Sequence, residues 1–403
     1  MSIRLPSCVC SKRASSVHLE FPETHVVTAL SWLSEGGVVD RAQAVAGLAQ
    51  LSFHNPPYNA RNWGHSLHRL CSYPSRLKPA IASTLVSLFT RPGDTVVDPF
   101  CGIGTIPLEA ALRGRHSYAG DLSPVATIVT SAKVRPASSL EVADLLSELR
   151  DFMASQHESD EDDEPEVATF YHERTFEEIR AVRNFLRMAR ERQLPAADTV
   201  TAAMLHLMHG NRPYALSRRS HNIIPIPPKG DATYKPVLRH LEAKLRRHLD
   251  PLPATFVRGS VETVAAEQLS TLVPACDAVI TSPPFLGSTD FVRQNRIRLW
   301  FAGWNYKRQE SAKADFYEHS RNRDSTLASI AGVVVSLLRP GGVAVLHLGI
   351  VRGYDMAEHL IAAAPEELRK IAVVYEDVRH LESHGRTDRG GTATHAFAVM
   401  QRA

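Results

Sequence analysis

The chain lacks most features that would place it in a special class. Its five cysteines are an odd number scattered over 403 residues, which excludes a disulfide framework and suits a reducing compartment. Cys8 and Cys10 form a Cys-x-Cys pair, but no second Cys/His pair stands at zinc-finger spacing, so no metal is expected. No apolar run approaches the ~20 residues that span a bilayer. The opening MSIRLPSCVCSKRASS has no apolar signal core. Together these absences predict a cytoplasmic protein without membrane association. Charge of one sign is missing too: 46 Lys+Arg against 43 Asp+Glu leave +3, a balance that neither demands nor excludes a nucleic-acid partner. The composition, 44% apolar and 22% charged, is that of a globular protein long enough for a large domain with an insertion.

There is no internal repeat. Low complexity is confined to residues 158–166 (ESDEDDEPE), too acidic to pack and expected as a solvated loop. Before it, residues 81–90 read as an apolar-faced helix stopped by Arg-Pro-Gly, 95–97 as a short buried strand, 106–112 as a helix and 116–119 as a second strand. This β-α-β order predicts a parallel sheet with helices on its faces. Residues 140–248 turn helical. Strand patterns resume at 254–257, at 277–281 (DAVIT), at 343–348 (VAVLHL), and as a final pair at 371–378 and 395–400; residues 327–338 read as a helix closed by an Arg-Pro-Gly-Gly turn. The expected architecture is α/β, a doubly wound, mostly parallel sheet interrupted by a helical insertion.

Residues 98–105 read DPFCGIGT, where the first strand ends and a helix begins. Gly102 and Gly104 permit a tight turn and close approach of a ligand. Asp121 ends the next strand, where an acidic side chain can accept the hydroxyls of a ribose. With Asp98 before the glycines, the segment resembles motif I of the S-adenosylmethionine-dependent DNA amino-methyltransferases, the cytosine-N4 and adenine-N6 type. Upstream, HRLCSYPSRLKP resembles their motif X, which covers the methionine end of the cofactor. The resemblance carries over Tyr73, Pro74 and Pro79, while Arg76 and Lys78 serve equally well as solvated loop charges. It implies a seven-stranded Rossmann-like methyltransferase sheet. S-adenosylmethionine would be held by Tyr73, Asp98, Pro99, Phe100, Cys101, Gly102, Gly104, Thr105, Asp121 and Ser123.

The strand DAVIT delivers Ser282-Pro283-Pro284-Phe285, similar to motif IV of the same family. The residue types suit the chemistry. An aromatic amine is a poor nucleophile because its lone pair is delocalised. Acceptors at the Ser282 hydroxyl and Pro283 carbonyl would aim that lone pair at a methyl donor, on a backbone stiffened by two prolines. Phe285 offers a face to a flipped base. No Pro-Cys dipeptide of the carbon-5 cytosine type occurs. Asn55-Pro56-Pro57-Tyr58 also fits the pattern, but it precedes the cofactor loop and follows a weaker strand. Past the catalytic motif, residues 290–300 read as a basic helix, and LRPGG with VAVLHLG resembles the next two family motifs. A departure lies at Ser260, with Glu262 two residues on, where the family usually has an acid near the adenine ring.

Between residues 170 and 250 bases outnumber acids about two to one, suited to phosphates. Arg212, Tyr214, Arg218, Arg219 and His221 form the densest cluster, able to contact phosphates, guanine or a stacked base, or to be a solvated loop. Arg180, Arg183, Arg187 and Arg190 recur at helical spacing as a solvated face. The domains expected are an N-terminal extension (1–72), a catalytic domain (73–135 and 254–403) and an insertion reading the target (136–253). The resemblance implies a site-specific methyltransferase acting on double-stranded DNA at N4 of cytosine, Ser282 favouring that atom. It also raises a cognate restriction endonuclease as partner. Adenine N6 in DNA and an amino group of a tRNA or rRNA base are the alternatives. A fold-keeping binding protein would have a damaged motif, and SPPF is intact.

Overall fold

A computed structural model describes residues 40–60, 62–73, 76–155, 165–221, 223–287, 289–378 and 392–403. Cys8, Cys10, Pro74 and residues 158–164 of the acidic run lie outside them. The expected parallel core is present. Strands β1 (Thr95–Asp98), β2 (His116–Asp121), β3 (Ser260–Thr263), β4 (Cys276–Thr281) and β5 (Leu338–Val351) pair in parallel in the order β3-β2-β1-β4-β5. A two-residue β6 (Tyr354–Asp355) pairs with β5, and β7 (Leu368–Asp377) and β8 (Thr392–Arg402) complete the eight-stranded sheet, with β8 antiparallel between β5 and β7. This is a doubly wound, Rossmann-like sheet. Its strand order reverses at β1 and β4, so a crevice opens beyond their carboxyl ends.

Local sequence explains most of these elements. Helix α1 (Arg41–Ala49) is capped by Asp40, whose carboxylate accepts from Ala42 and Gln43 N–H. Helix α2 (Pro79–Phe89) starts on a proline and has every residue buried, as a helix covered on both sides must. Helices α3 (Thr105–Leu112) and α4 (Pro124–Val134) follow β1 and β2 as crossovers. The insertion is helical, as expected: α5 (Ser139–Ser155), α6 (Pro165–Ala168), α7 (Glu173–Glu191), α8 (Ala197–Leu207) and α9 (Val237–Leu245). After β3 and β4 come α10 (Ala266–Leu269), α11 (Phe291–Phe301), α12 (Tyr306–Ala312), α13 (Arg323–Leu337) and α14 (Met356–Ala362). One hydrophobic cluster joins Leu108, Ile128 and Trp300 to Ile179, Leu205 and Leu241 of the insertion. Among the described residues no helix is long and apolar enough to cross a membrane.

The structure departs from expectation in four places. Residues 254–257 form no strand. Their hydrogen bonds go to a turn and to a helix end, from Phe256 to the Pro253 carbonyl and from Val257 to that of Ala111. Strand β3 starts only after Gly259, where a Cβ would lie 2.8 Å from the Ser117 carbonyl oxygen. The Arg-Pro-Gly-Gly segment belongs to β5, because Leu338 already pairs with Cys276 across a register shift. The acidic run ends in helix α6, with Glu166 paired to Arg296 at 2.7 Å. The arginine row of α7 is not a solvated face: Arg183 donates to the Trp300 carbonyl and lies over its ring, and Arg190 pairs with Asp198.

Candidate active site

The loop after β1 is held from both sides. Asp98, buried, accepts from Phe100 N–H at 3.2 Å and from the Thr281 hydroxyl at 2.6 Å, tying β1 to β4. Asp121 accepts from Gly102 N–H at 3.0 Å and from Ser123 N–H at 2.9 Å. Each of its oxygens keeps a lone pair for a ligand. Burial pushes the Asp98 carboxyl up to about 7 and that of Asp121 up to about 6. Gly104 has a different job from Gly102. Its φ is +67°, and a Cβ there would meet Thr130 at 2.6 Å. It therefore lets the loop press onto α4, while Gly102 lines the cavity.

That cavity, about 2360 Å³, exceeds the ~300–1,000 Å³ of ordinary small-molecule sites and leaves room for a second, larger ligand. Tyr73, Asp98, Pro99, Phe100, Cys101, Gly102, Thr105 and Asp121 line it together with Ser282, Pro283, Pro284 and Phe285. Gly104 and Ser123 support it from behind, and Pro79 starts α2. Tyr73 stacks on Phe291 at 5.7 Å and 14°. Beside this pair sits Glu318, one oxygen accepting from Phe291 N–H at 3.4 Å and the other buried without a hydrogen-bond partner. Burial pushes Glu318 up to about 7.

Behind Ser282 stands a chain of groups that sequence reasoning missed. The Ser282 hydroxyl lies 3.1 Å from Nδ1 of His347, and His347 Nε2 lies 3.1 Å from Nδ1 of His395. The buried Glu376 carboxylate lies 4.0 Å from that same Nδ1 of His395. His347 pairs with Phe397 and His395 with Gly349 across β5 and β8, so the two rings are diagonal neighbours on one face. Phe285 packs against both, at 5.7 and 5.6 Å. Burial, then His395 and Lys78, hold His347 well below the ordinary histidine range, and burial takes His395 down to about 4. With Ser282 donating to Nδ1, His347 carries its proton on Nε2 and donates it to His395. A signal existed: each histidine stands alone in an apolar run, VAVLHL and HAFAVM, where a buried polar group needs a reason.

The residues singled out in the insertion divide. Arg212, Tyr214 and His221 line the cavity, with Tyr214 stacked on His206 at 4.7 Å. Arg218 and Arg219 do not. The Arg218 guanidinium is spent on the carbonyls of Thr169 and Gly230. Asn55, Pro56, Pro57 and Tyr58 lie off the cavity, Asn55 bonding Ser52 and Tyr58 bonding Thr84. Glu262 sits in β3 outside the lining.

Residues 67–200, about a third of the chain, match the model of a family described as UPF0020, RMKL-like, methyltransferase domain. The cofactor is S-adenosylmethionine. The loop, the stacked Tyr73–Phe291 pair and the orphaned Glu318 oxygen fit it, since a cationic, ribose-bearing ligand needs acceptors at both ends. Among solved structures the chain is similar to TrmN from Thermus thermophilus (16% identity, TM-score 0.33, 83% of this chain and 52% of that one). It thus spans about half the length of TrmN. The rRNA methyltransferase aviRa from Streptomyces viridochromogenes (12%, 0.36, 88% and 96%) and an rRNA methylase from Streptococcus thermophilus (8%, 0.31, 82% and 99%) are similar at the same level. These are likenesses of fold alone. Over residues 67–200 the chain is similar to methyltransferase domains.

Proposed function

We propose that the chain methylates an exocyclic amino group of a nucleobase within a polynucleotide. The supporting observation is that Ser282, Pro283, Pro284 and Phe285 share one cavity with the cofactor loop. When bound, S-adenosylmethionine supplies the electrophilic methyl group. The chain's own groups prepare the amine. The Ser282 hydroxyl accepts one N–H while donating its own proton to His347, roles a hydroxyl can fill together. The Pro283 carbonyl accepts the other, and Phe285 gives the base a ring to lie against. As the methylated amine gives up a proton, its N–H breaks toward Ser282 Oγ and the Ser282 proton moves to His347 Nδ1. The imidazole, held neutral by burial, is free to take it.

RNA is the leading polymer and DNA the second. The family model is described as RMKL-like and not as a DNA amino-methyltransferase, so cytosine N4 in DNA rests on Ser282 alone. A restriction endonuclease partner likewise has only the sequence resemblance behind it. The test is expression in a host lacking DNA methylation, with DNA and RNA digested separately and their nucleosides quantified by mass spectrometry. An amino-methylated base in RNA, absent with Ser282→Ala, supports the leading reading. N4-methylcytosine in DNA moves the assignment to the second, and no Ser282-dependent methylated base in either polymer overturns both.

A further inference from the structure

The cavity walls are sorted by charge. The lining carboxylates, Asp98, Asp121, Glu267, Asp315, Glu318 and Glu376, come from strand ends and from the segments around α10 and before α13. Another arm is walled by the segment before α2, the turn after α8, and helix α9. Its lining cations are Arg69, Arg76, Lys78, Arg212, Arg239, Lys244 and Arg247, with Arg298 of α11 also in the lining. Lys78 acts on His347 and His395 at the catalytic end, and no Asp or Glu lines those three segments. On α9 the spacing is regular. Arg239 and Ala243 recur at four residues beside His240 and Lys244, which makes one helical face, and Arg247 follows in the turn just past the helix end. The acid of this helix, Glu242, points elsewhere and pairs with Arg150 and Arg246. Lys244 is buried and donates to the Arg69 carbonyl at 2.7 Å, bringing the two walls together.

Such an arrangement is costly without a ligand. Burial, Arg247 and Arg69 bring the Lys244 ammonium down to about 8. Burial, with Lys244 and Arg69, takes His248 down to about 4, so that imidazole stays neutral while the arm keeps its fixed cations. No ion pair to a carboxylate is seen for Arg69, Arg212, Arg239 or Arg247 among the described residues. Like charges gathered in a groove that opens into a catalytic lobe call for an anion with several charges along its length. Tyr214, stacked on His206 beside Arg212, adds a ring on which a base can lie.

We infer that this arm holds the phosphodiester backbone of a single strand, so that the nucleotide next in line reaches Ser282. The inference rests on the nucleobase reading above and gives it a substrate channel: α9 and Arg69 grip phosphates without regard to sequence, and the catalytic lobe takes the base. The grip is electrostatic and salt-dependent, with a slope in log K against log salt of about 0.7 per phosphate contact.

The test uses the full chain and fluorescence anisotropy with a short labelled single-stranded oligonucleotide, as RNA, as DNA and as the uncharged methylphosphonate, from about 50 to 200 mM salt. Arg239→Ala/Arg247→Ala is compared with Arg219→Ala, an exposed arginine of the same insertion off the cavity. S-adenosylhomocysteine binding by calorimetry reports that each variant is folded. The double variant is expected to lower the slope by about 1.4 and weaken binding at least tenfold at the lowest salt, with S-adenosylhomocysteine binding unchanged. Arg219→Ala should behave as wild type, and the methylphosphonate should bind weakly to all three. Equal binding of the methylphosphonate, an unchanged slope in the double variant, or inorganic phosphate competing as well as the oligonucleotide overturns the inference. A chain that binds strands with the expected slope but methylates no base keeps the channel and loses the nucleobase reading. One that methylates a base yet binds strands independently of Arg239 and Arg247 keeps that reading and loses the channel.

Discussion

Replacing His347 with alanine removes the acceptor behind Ser282 while leaving the cofactor loop intact. The lost contact is the 3.1 Å approach of Ser282 Oγ to Nδ1. A positioned acid–base group contributes about 10²–10⁴ in rate, roughly 3–5 kcal/mol of barrier. His347→Ala should therefore lower kcat at least a hundredfold, with KM for either substrate little changed. The ring is only 5% exposed, so truncation also costs packing energy, about 2–4 kcal/mol. Thermal melting and S-adenosylhomocysteine binding must accompany the kinetics. His347→Asn separates two jobs. Its amide can occupy the Nδ1 position and orient Ser282, but cannot take a proton. If proton acceptance matters, Asn is as slow as Ala; if orientation suffices, Asn recovers most of the rate. Ser282→Ala/His347→Ala should be little worse than either single variant, as groups acting in series are. Because the neutral imidazole is the working form and its pKa lies well below 6.5, wild-type kcat should stay level from alkaline pH down to about 6.5 and fall only in more acid solution. A folded, cofactor-binding His347→Ala enzyme within about threefold of wild type would falsify the relay.

Ser282→Ala should cut turnover sharply with cofactor binding near normal, whereas Asn55→Ala, off the cavity, should leave single-turnover rates unchanged; the opposite pattern would move the site. Asp121→Ala should weaken cofactor binding about 10–100-fold by calorimetry, the worth of charged hydrogen bonds, and an unchanged Kd would remove Asp121 from the site. In wild type the ionised carboxylate is the binding form and its pKa is about 6, so affinity should fall as pH drops through 6, by about tenfold per unit for one linked proton. Gly104→Ala must adopt φ near +67° and press on Thr130, at about 1–2 kcal/mol for the left-handed backbone and a further ~1–3 for overpacking. Melting should drop by several degrees and Thr130→Gly should restore part of it; a neutral Gly104→Ala would contradict the packing.

Much of the framework was legible because it is written locally. The strand-turn-helix around Asp98 and the apolar run ending at Ser282 carry their own periodicity and turn chemistry, and both lie where they were expected. The insertion was recognisable as helical for the same reason. What stayed hidden depends on long-range pairing. His347 and His395 are 48 residues apart and meet only because β8 returns beside β5. Arg69 and Lys244 are 175 apart. Arg218 looked like a phosphate ligand beside Tyr214, but tertiary carbonyls claim its guanidinium. The strand expected at 254–257 failed because its backbone partners turned out to be a helix end and a turn.

The sorting of charge along the cavity also has a consequence for direction. Apart from Lys78 beside the catalytic histidines and Arg298, the lining carboxylates gather on the cofactor side and the cations on the side of the insertion, so the space has a polarity of its own. A strand entering backwards would bring its phosphates toward the carboxylate side of the cavity, where like charges repel. Entering the other way, it is drawn down the gradient with its base leading. If the arm holds the strand as inferred, this polarity favours one direction of approach at long range and leaves the short-range contacts at Ser282 to select the base.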